Sequence, residues 1–146
     1  MTTFLNTETR FCKESQLLKP VAAFTRRQGF QLQRFELPFY EYRIDLYGFS
    51  DKKDATVAIE LKLNNWRRAL LQAMLYQLCA DFVYIAMPDR SARRADHAEI
   101  KKNHVGLISV HKLGRCSTLI PARKHGEVRN FYRQLQIEYL RGYRHA

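Results

Sequence analysis

The stretch VAIELKLNNWRRALLQAMLYQ, residues Val57 to Gln77, joins a predicted strand to a predicted helix and decides the fold. Side chains alternate between the two faces of a strand, and one face here collects the larger apolar residues Ile59, Leu61 and Leu63. Ala58, Glu60 and Lys62 share the other face. A half-buried strand with a surface ion pair is the ordinary explanation of this pattern. The alternative is an acid and a base that serve one reaction.

The second half of the stretch predicts a helix, which Asn64 or Asn65 can cap and which runs to about Ala80. Three polar residues recur at four-residue spacing and form one stripe on this otherwise apolar helix: Arg68, Gln72 and Tyr76. A solvated helix face would explain the stripe. Because the helix directly follows the strand of Glu60, the stripe could instead lie over the end of that strand.

The rest of the chain also divides into helices and strands. A first helix is predicted from about Thr9 to Gln28, because Thr9 can cap its start and Gly29 can end it in a left-handed conformation. Further strands are predicted at the runs FQLQRFEL, YEYRIDLYGF, DFVYIAMP, VGLISV and RCSTLIP. The DKKD segment at 51–54 is predicted to form a turn. Ser91 can cap a short basic helix, ARRADHAEIKKN, and a last helix covers about Glu127 to Tyr143.

The resulting order, α-β-β-β-α-β-α-β-β-α, predicts a mixed α/β fold in which helices flank one central sheet. No repeat, low-complexity segment or Pro/Gly-rich linker divides the 146 residues, so we expect a single domain, 1–146. No apolar run approaches the ~18 residues of a membrane span, and the first residues lack the apolar core of a secretory signal. Three widely spaced cysteines suit reduced thiols in the cytoplasm: Cys12, Cys79 and Cys116.

Charge is the strongest global signal, because 25 Lys and Arg against 14 Asp and Glu give a net charge of +11. A small domain this basic predicts a polyanionic partner, most simply nucleic acid. The residues that could contact phosphates are Arg26, Arg27, Arg67, Arg68, Arg93, Arg94, Lys101 and Lys102, with Arg129, Arg133, Arg141 and Arg144 in the last helix. For each of them alone, a solvated charge is the alternative.

Two further acids could join Glu60. Asp45 lies on the preceding strand, and a hairpin through the DKKD turn could bring its carboxylate to Glu60, although an acid near a loop needs no such role. At 100° per residue, Glu14 falls within an apolar arc of the first helix, and an inward carboxylate is costly without a partner. Glu14 therefore predicts either a buried salt bridge, to Lys62 or an arginine, or a metal ligand, direct or through water.

Converging carboxylates beside a lysine are what a Mg²⁺-dependent phosphodiesterase requires. Mg²⁺ prefers hard oxygen ligands and keeps several waters, so few protein carboxylates suffice. The bound metal polarises a phosphoryl oxygen and lowers the pKa of a water. Lys62 could orient that water or offset charge in the transition state, and the backbone carbonyl of Leu61 is a further candidate ligand.

These residues carry a resemblance to a known superfamily. Glu14 in a first helix, Asp45, the Glu60-Leu61-Lys62 run and a trailing Gln-x-x-x-Tyr resemble the PD-(D/E)XK nucleases, which have the restriction-endonuclease-like fold. The order α-β-β-β-α-β matches the common core of that superfamily. The trailing motif is similar to the branch of RecB-type and Cas4-type exonucleases, and Holliday-junction resolvases share the helix-borne acid. The resemblance covers about residues 14–87, and one departure is that Ile44, not proline, precedes Asp45.

The resemblance implies a role for each matching residue. Asp45, Glu60 and Glu14 would bind Mg²⁺ or Mn²⁺, and Lys62 would serve the attacking water. Gln72 and Tyr76 would contact the site or the phosphate backbone.

The expected function is therefore metal-dependent hydrolysis of DNA. No second domain remains to read a target sequence, so we expect structure-selective or non-specific cutting, and a homodimer would suit cleavage of both strands. A catalytically inactive nucleic-acid-binding module on the same fold is the main alternative. A basic structural protein of a ribonucleoprotein or phage particle is a third.

Overall fold

The alternating runs form strands and the capped segments form helices across residues 11–124, 126 and 128–142, which the computed structural model describes. Within these residues the α-helices are α1 (Leu18–Arg27), α2 (Trp66–Tyr76), α3 (Asp89–Arg94), α4 (His97–Lys102) and α5 (Asn130–Leu140). The strands are β1 (Leu32–Phe39), β2 (Tyr42–Ser50), β3 (Ala55–Leu61), β4 (Phe82–Pro88), β5 (Gly106–Val110) and β6 (Cys116–Ile120). The predicted limits Thr9, Glu127 and Tyr143, and Arg144, lie outside the described residues.

The described strands form one mixed sheet in the order β1-β2-β3-β4-β5-β6. β1, β2 and β3 are antiparallel neighbours, β3, β4 and β5 run parallel, and β6 returns antiparallel to β5. Parallel neighbours need a crossover, which α2 supplies between β3 and β4 and the pair α3 and α4 supplies between β4 and β5. The prediction of a mixed α/β fold with helices flanking a central sheet is confirmed.

Helices cover both faces of the sheet. On one face, Val21 and Ala22 of α1 share an apolar cluster with Ile59 and Leu61 of β3. On the other face, Ala58 of β3 lies in a cluster with residues of α2 and α5: Ala69, Ala73, Tyr76, Ile137 and Leu140. The predicted alternation of β3 is therefore confirmed, and it directs Glu60 toward α2.

The first helix begins later than predicted. Phe11 to Lys13 are not helical, and a 3₁₀ turn at Glu14–Leu17 precedes α1. Pro20 explains the difference, because a proline ring clashes with the carbonyl four residues earlier and prevents an α-helix from continuing through Gln16. The side chain of Glu14 is 45% exposed, so the prediction that it points into the core is wrong.

Two other helix boundaries also differ from expectation. The predicted basic helix from Ser91 onward is two helices, because Ala95 adopts an extended conformation and Asp96 caps α4 by accepting from the Glu99 amide. α2 starts as predicted after Asn65 but ends at Tyr76. Among the described residues no helix has the length and apolar character needed to cross a membrane.

Candidate active site

The pairing of β2 with β3 brings two of the predicted acids side by side. Leu46 pairs with Ile59 in antiparallel register, so Asp45, one residue before Leu46, comes opposite Glu60, one residue after Ile59. Asp45 Oδ2 accepts a hydrogen bond from the backbone amide of Leu61, at 2.8 Å. The two carboxyl groups are also close enough to perturb each other's pKa. The expected approach of Asp45 to Glu60 is therefore observed.

Burial perturbs the ionisation of both acids. Glu60 is only 6% exposed, and burial together with the negative charge of Asp45 raises the pKa of Glu60 to about 8. Burial also raises the pKa of Asp45, while the hydrogen bond from Leu61 opposes that rise. The positive charge of Lys62 lowers the pKa of each acid, but less than burial raises it. The pair therefore holds a proton near neutral pH unless a further cation is present.

Tyr76 of α2 completes this buried group. Its side chain has no exposed surface, and its hydroxyl donates to Glu60 Oε1 at 2.9 Å. The hydroxyl oxygen of Tyr76 also lies 3.3 Å from the backbone carbonyl oxygen of Arg43. Burial raises the pKa of Tyr76 well above its ordinary value, so the phenol stays a neutral hydrogen-bond donor. The prediction that the stripe of α2 lies over the end of β3 is confirmed for this residue.

The other two residues of the stripe lie closer to the start of α2. Gln72 is one turn before Tyr76, and its Oε1 is buried with no hydrogen-bond partner among the described residues. Such an acceptor is costly to leave unsatisfied and suits a water or a ligand group. Arg68 is exposed in the first turn.

Lys62 and Glu14 form a second pair beside the carboxylates. Lys62 Nζ lies 4.0 Å from Glu14 Oε2, and the same oxygen accepts from the Leu63 amide at 3.3 Å. Lys62 is 18% exposed. Glu14 therefore meets the lysine, as one of its two predicted alternatives requires, but at the surface and not in a buried bridge.

The donor set fits Mg²⁺ only in part. No group of three or more His, Cys, Asp or Glu side chains is placed to hold a metal within the described residues. The three-acid set that includes Glu14 is therefore not assembled, because Glu14 is engaged with Lys62 and Leu63. Asp45 and Glu60 are two hard oxygen donors, and Mg²⁺ binds through one or two carboxylates with several waters. The carbonyl of Leu61 stays a predicted further ligand.

The predicted phosphate-binding residues fall into two groups. Arg67 and Arg68 occupy the first turn of α2, which follows β3, and Arg67 lies 4.7 Å from the ring centre of Trp66. Arg93 and Arg94 end α3, which follows β4 directly. Because β3 and β4 are parallel, both pairs lie at the edge of the sheet where Glu60 is found. Arg93 also forms an exposed ion pair with Asp89, at 2.9 Å.

Other arginines are placed or occupied differently. Arg26 and Arg27 end α1, roughly 15 Å of helix away from the turn that carries Glu14. Arg133 of α5 bonds to the carboxylate of Asp81 at 3.1 Å and to that of Asp54 at 3.3 Å, and Arg141 bonds to Asp51 at 3.3 Å. These two arginines of the predicted last helix pair with acids of the protein, and their contact with phosphates stays a prediction.

The sequence analysis did not predict two features that position the site. The carbonyl oxygen of Arg43 lies 3.3 Å from the Tyr76 hydroxyl oxygen, and a backbone group leaves no signal in a sequence. The paired beginnings of β3 and β4 are held by Asp81, which accepts from the amide and hydroxyl of Thr56 and from Arg133. An acid directly before the apolar run FVYIAMP was the available signal.

No model of a known protein family matches this chain, and no curated protein matches it. A solved structure with a similar fold is the SPO1766 protein of unknown function from Silicibacter pomeroyi. The two chains are 20% identical, with a TM-score of 0.68 over 91% of this chain and 87% of that one. A likeness at this identity shows a shared fold.

Proposed function

We propose that this chain is a Mg²⁺- or Mn²⁺-dependent nuclease that hydrolyses DNA phosphodiester bonds, structure-selectively or without sequence specificity. The observation that carries the proposal is the pairing of the half-buried Asp45 with the buried Glu60, and Lys62 follows just after the end of β3. Burial raises the pKa of both acids, and a divalent cation between them would favour their ionised forms, as the two oxygen donors of a Mg²⁺ site require.

The order of the elements supports the finer proposal of a restriction-endonuclease-like core. The segment from the 3₁₀ turn and α1 through β1, β2, β3, α2 and β4 follows the order α-β-β-β-α-β. Glu60 of the Glu-x-Lys run lies at the end of the third strand and Lys62 directly after it, and the Gln-x-x-x-Tyr motif lies on the helix that follows. Each motif therefore occupies the element that the PD-(D/E)XK resemblance implies.

Each residue of the site would have its own role in this reaction. Asp45 and Glu60 would hold the cation, which supplies polarisation of a phosphoryl oxygen and a water of lowered pKa. Tyr76 fixes the orientation of Glu60 by donating to Oε1. Lys62 would orient the attacking water or offset negative charge in the transition state. Glu14 would tune the position of Lys62 from outside the pair.

DNA would meet the edge of the sheet on which these residues lie. Arg67, Arg68, Arg93 and Arg94 would contact phosphates there, which positions a duplex without reading its sequence. One chain carries one such site, so cutting both strands of a duplex would suit a homodimer.

The test compares the wild type with Lys62→Ala on linear, nicked and branched DNA, in Mg²⁺, in Mn²⁺ and in EDTA. We expect metal-dependent cutting that falls at least about 100-fold in the variant. Lys52→Ala is the matched control, because Lys52 is an exposed lysine in the turn at the opposite end of β3. DNA binding without cutting under either metal would refute the enzyme.

That outcome would favour the second candidate, an inactive nucleic-acid-binding module on the same fold. The absence of a three-ligand cluster among the described residues is the observation in its favour. A basic structural protein is the third alternative. The pairing of Asp45 with the buried Glu60 argues against it, because packing alone gives no reason to place a second acid beside a buried one.

A further inference from the structure

A cavity of about 200 Å³ lies between the C-terminal half of α1 and the sheet. It is on the face of β3 opposite the carboxylate pair, because Ile59 lines it while Glu60 points the other way. Its walls are largely aromatic and aliphatic: Phe24, Phe30, Ile59, Phe82, Tyr84 and Ile108. An apolar cavity of roughly 150 Å³ can hold benzene, so this one has room for a ring with a short substituent.

The wall at Tyr84 depends on a glycine. A Cβ atom at Gly106 would lie 2.4 Å from two ring carbons of Tyr84 and 2.6 Å from the Ala122 amide nitrogen. Only glycine lets the Tyr84 ring lie against the backbone of β5 in this way. The ring therefore forms a wall of the cavity and does not fill it.

The inner wall offers little to a polar ligand. The hydroxyl of Thr25 is buried and donates to the Val21 carbonyl at 2.6 Å. A nucleobase would lose hydration in this cavity without replacement hydrogen bonds, whereas a hydrocarbon group would not. The enclosed part of the ligand should therefore be apolar.

The rim carries a fixed positive charge. Lys53 Nζ donates to the Gln28 carbonyl at 2.6 Å and lies 5.4 Å from the ring centre of Phe30. An ammonium group has three donors, and this carbonyl accepts from one. The acids of the same turn are engaged elsewhere, because Asp51 pairs with Arg141 and Asp54 pairs with Arg133. The charge of Lys53 is therefore available to an anion at the mouth of the cavity.

We propose that this cavity binds a small apolar acid, with a single ring or short chain inside and its carboxylate at Lys53. The site is separate from the proposed nuclease site and does not depend on it. β3 divides the two, with alternate side chains serving opposite faces.

In the test, the full chain is titrated with phenylacetate and with its neutral analogue phenylacetamide. Binding is monitored by the NMR chemical shifts of backbone amides and side-chain methyl groups. We expect saturable shifts at Ile59 and Ile108 below about 10 mM, with phenylacetate bound up to about 5-fold more tightly than the amide. Lys53→Met should remove the preference for the acid. Lys52→Met is the matched control and should keep it, because it changes the charge of the same turn without lining the cavity.

Thr118→Phe should abolish binding of both probes, because Thr118 lines the cavity from an exposed position on the edge strand β6. Unchanged circular dichroism would show that this variant folds. Three results would overturn the proposal: no saturable shifts with either probe, shifts confined to the carboxylate side of β3, or equal effects of the two lysine variants. The location of the shifts in the wild type decides the matter even if Thr118→Phe does not fold.

Discussion

Replacing Glu60 by glutamine should make the metal-free protein more stable at neutral pH and leave it nearly unchanged at pH 5. Glutamine mimics the protonated acid and keeps an acceptor for the Tyr76 hydroxyl, but it cannot ionise. The folded-state pKa of Glu60 is raised from 4.5 to about 8. The folded state therefore holds the proton more tightly than the unfolded state does. Its stability falls as pH rises from 4.5 to about 8 and then stays level.

The size of the effect follows from those two values. At pH 7 the wild type should be less stable than Glu60→Gln by about 3 kcal/mol, and at pH 5 by less than about 1 kcal/mol. The measurement is urea unfolding from pH 5 to 9 in EDTA. Glu41→Gln is the control, because Glu41 is exposed in the β1–β2 turn and the same substitution there should change little.

Mg²⁺ provides a second arm of this experiment. A cation bound to Asp45 and Glu60 would favour the ionised acids, so saturating Mg²⁺ should restore stability to the wild type by about 2.7 kcal/mol at a hundredfold excess over its Kd. Glu60→Gln should gain much less. Parallel pH profiles for the two proteins in EDTA would refute the raised pKa, and an equal response to Mg²⁺ would refute the metal site.

Tyr76→Phe should cost about 1–2 kcal/mol of unfolding free energy and raise the pKa of Glu60 further, because it removes a donor to that carboxylate; urea unfolding across the same pH range measures both. Arg133→Ala should cost about 3–5 kcal/mol in the same assay, because it leaves Asp81 buried without its cation, and a loss below 1 kcal/mol would contradict this account. Replacing both Arg67 and Arg68 by alanine should weaken DNA binding and reduce its salt dependence more than replacing both Arg26 and Arg27, which end α1. The reason is that only the first pair lies at the edge of the sheet where Glu60 is found. Fluorescence anisotropy at several salt concentrations compares the two double variants, and equal losses would show that binding follows net charge alone.

The parts of the site that depend on the residue pattern within one hairpin or one helix could be predicted from the sequence. Alternation places Glu60 on the face opposite Ile59, and a short polar turn between two alternating strands makes Asp45 its neighbour. The four-residue spacing of Arg68, Gln72 and Tyr76 places Tyr76 on the face of the helix that lies over the preceding strand. Each of these inferences needs only the geometry of one hairpin and one helix.

The position of Glu14 could not be obtained by the same reasoning, which assumed an unbroken helix from Thr9. Pro20 was the local signal against that assumption, because it lies too far inside the predicted helix to be tolerated. The pairing of Arg133 with Asp54 and Asp81 joins residues 79 and 52 positions apart. No periodicity within one element encodes such a contact, so the sequence alone gives Arg133 only as a surface charge.

The placement of Arg133 also affects the order in which the protein can be made. α5 follows every described strand in the sequence, so Arg133, the cation that neutralises Asp81, leaves the ribosome after all of them. Asp81 holds the first residues of β3 through Thr56, and the register of β3 sets Glu60 opposite Asp45. We therefore expect the β3 register, and with it the carboxylate pair, to become fixed only after α5 has left the ribosome.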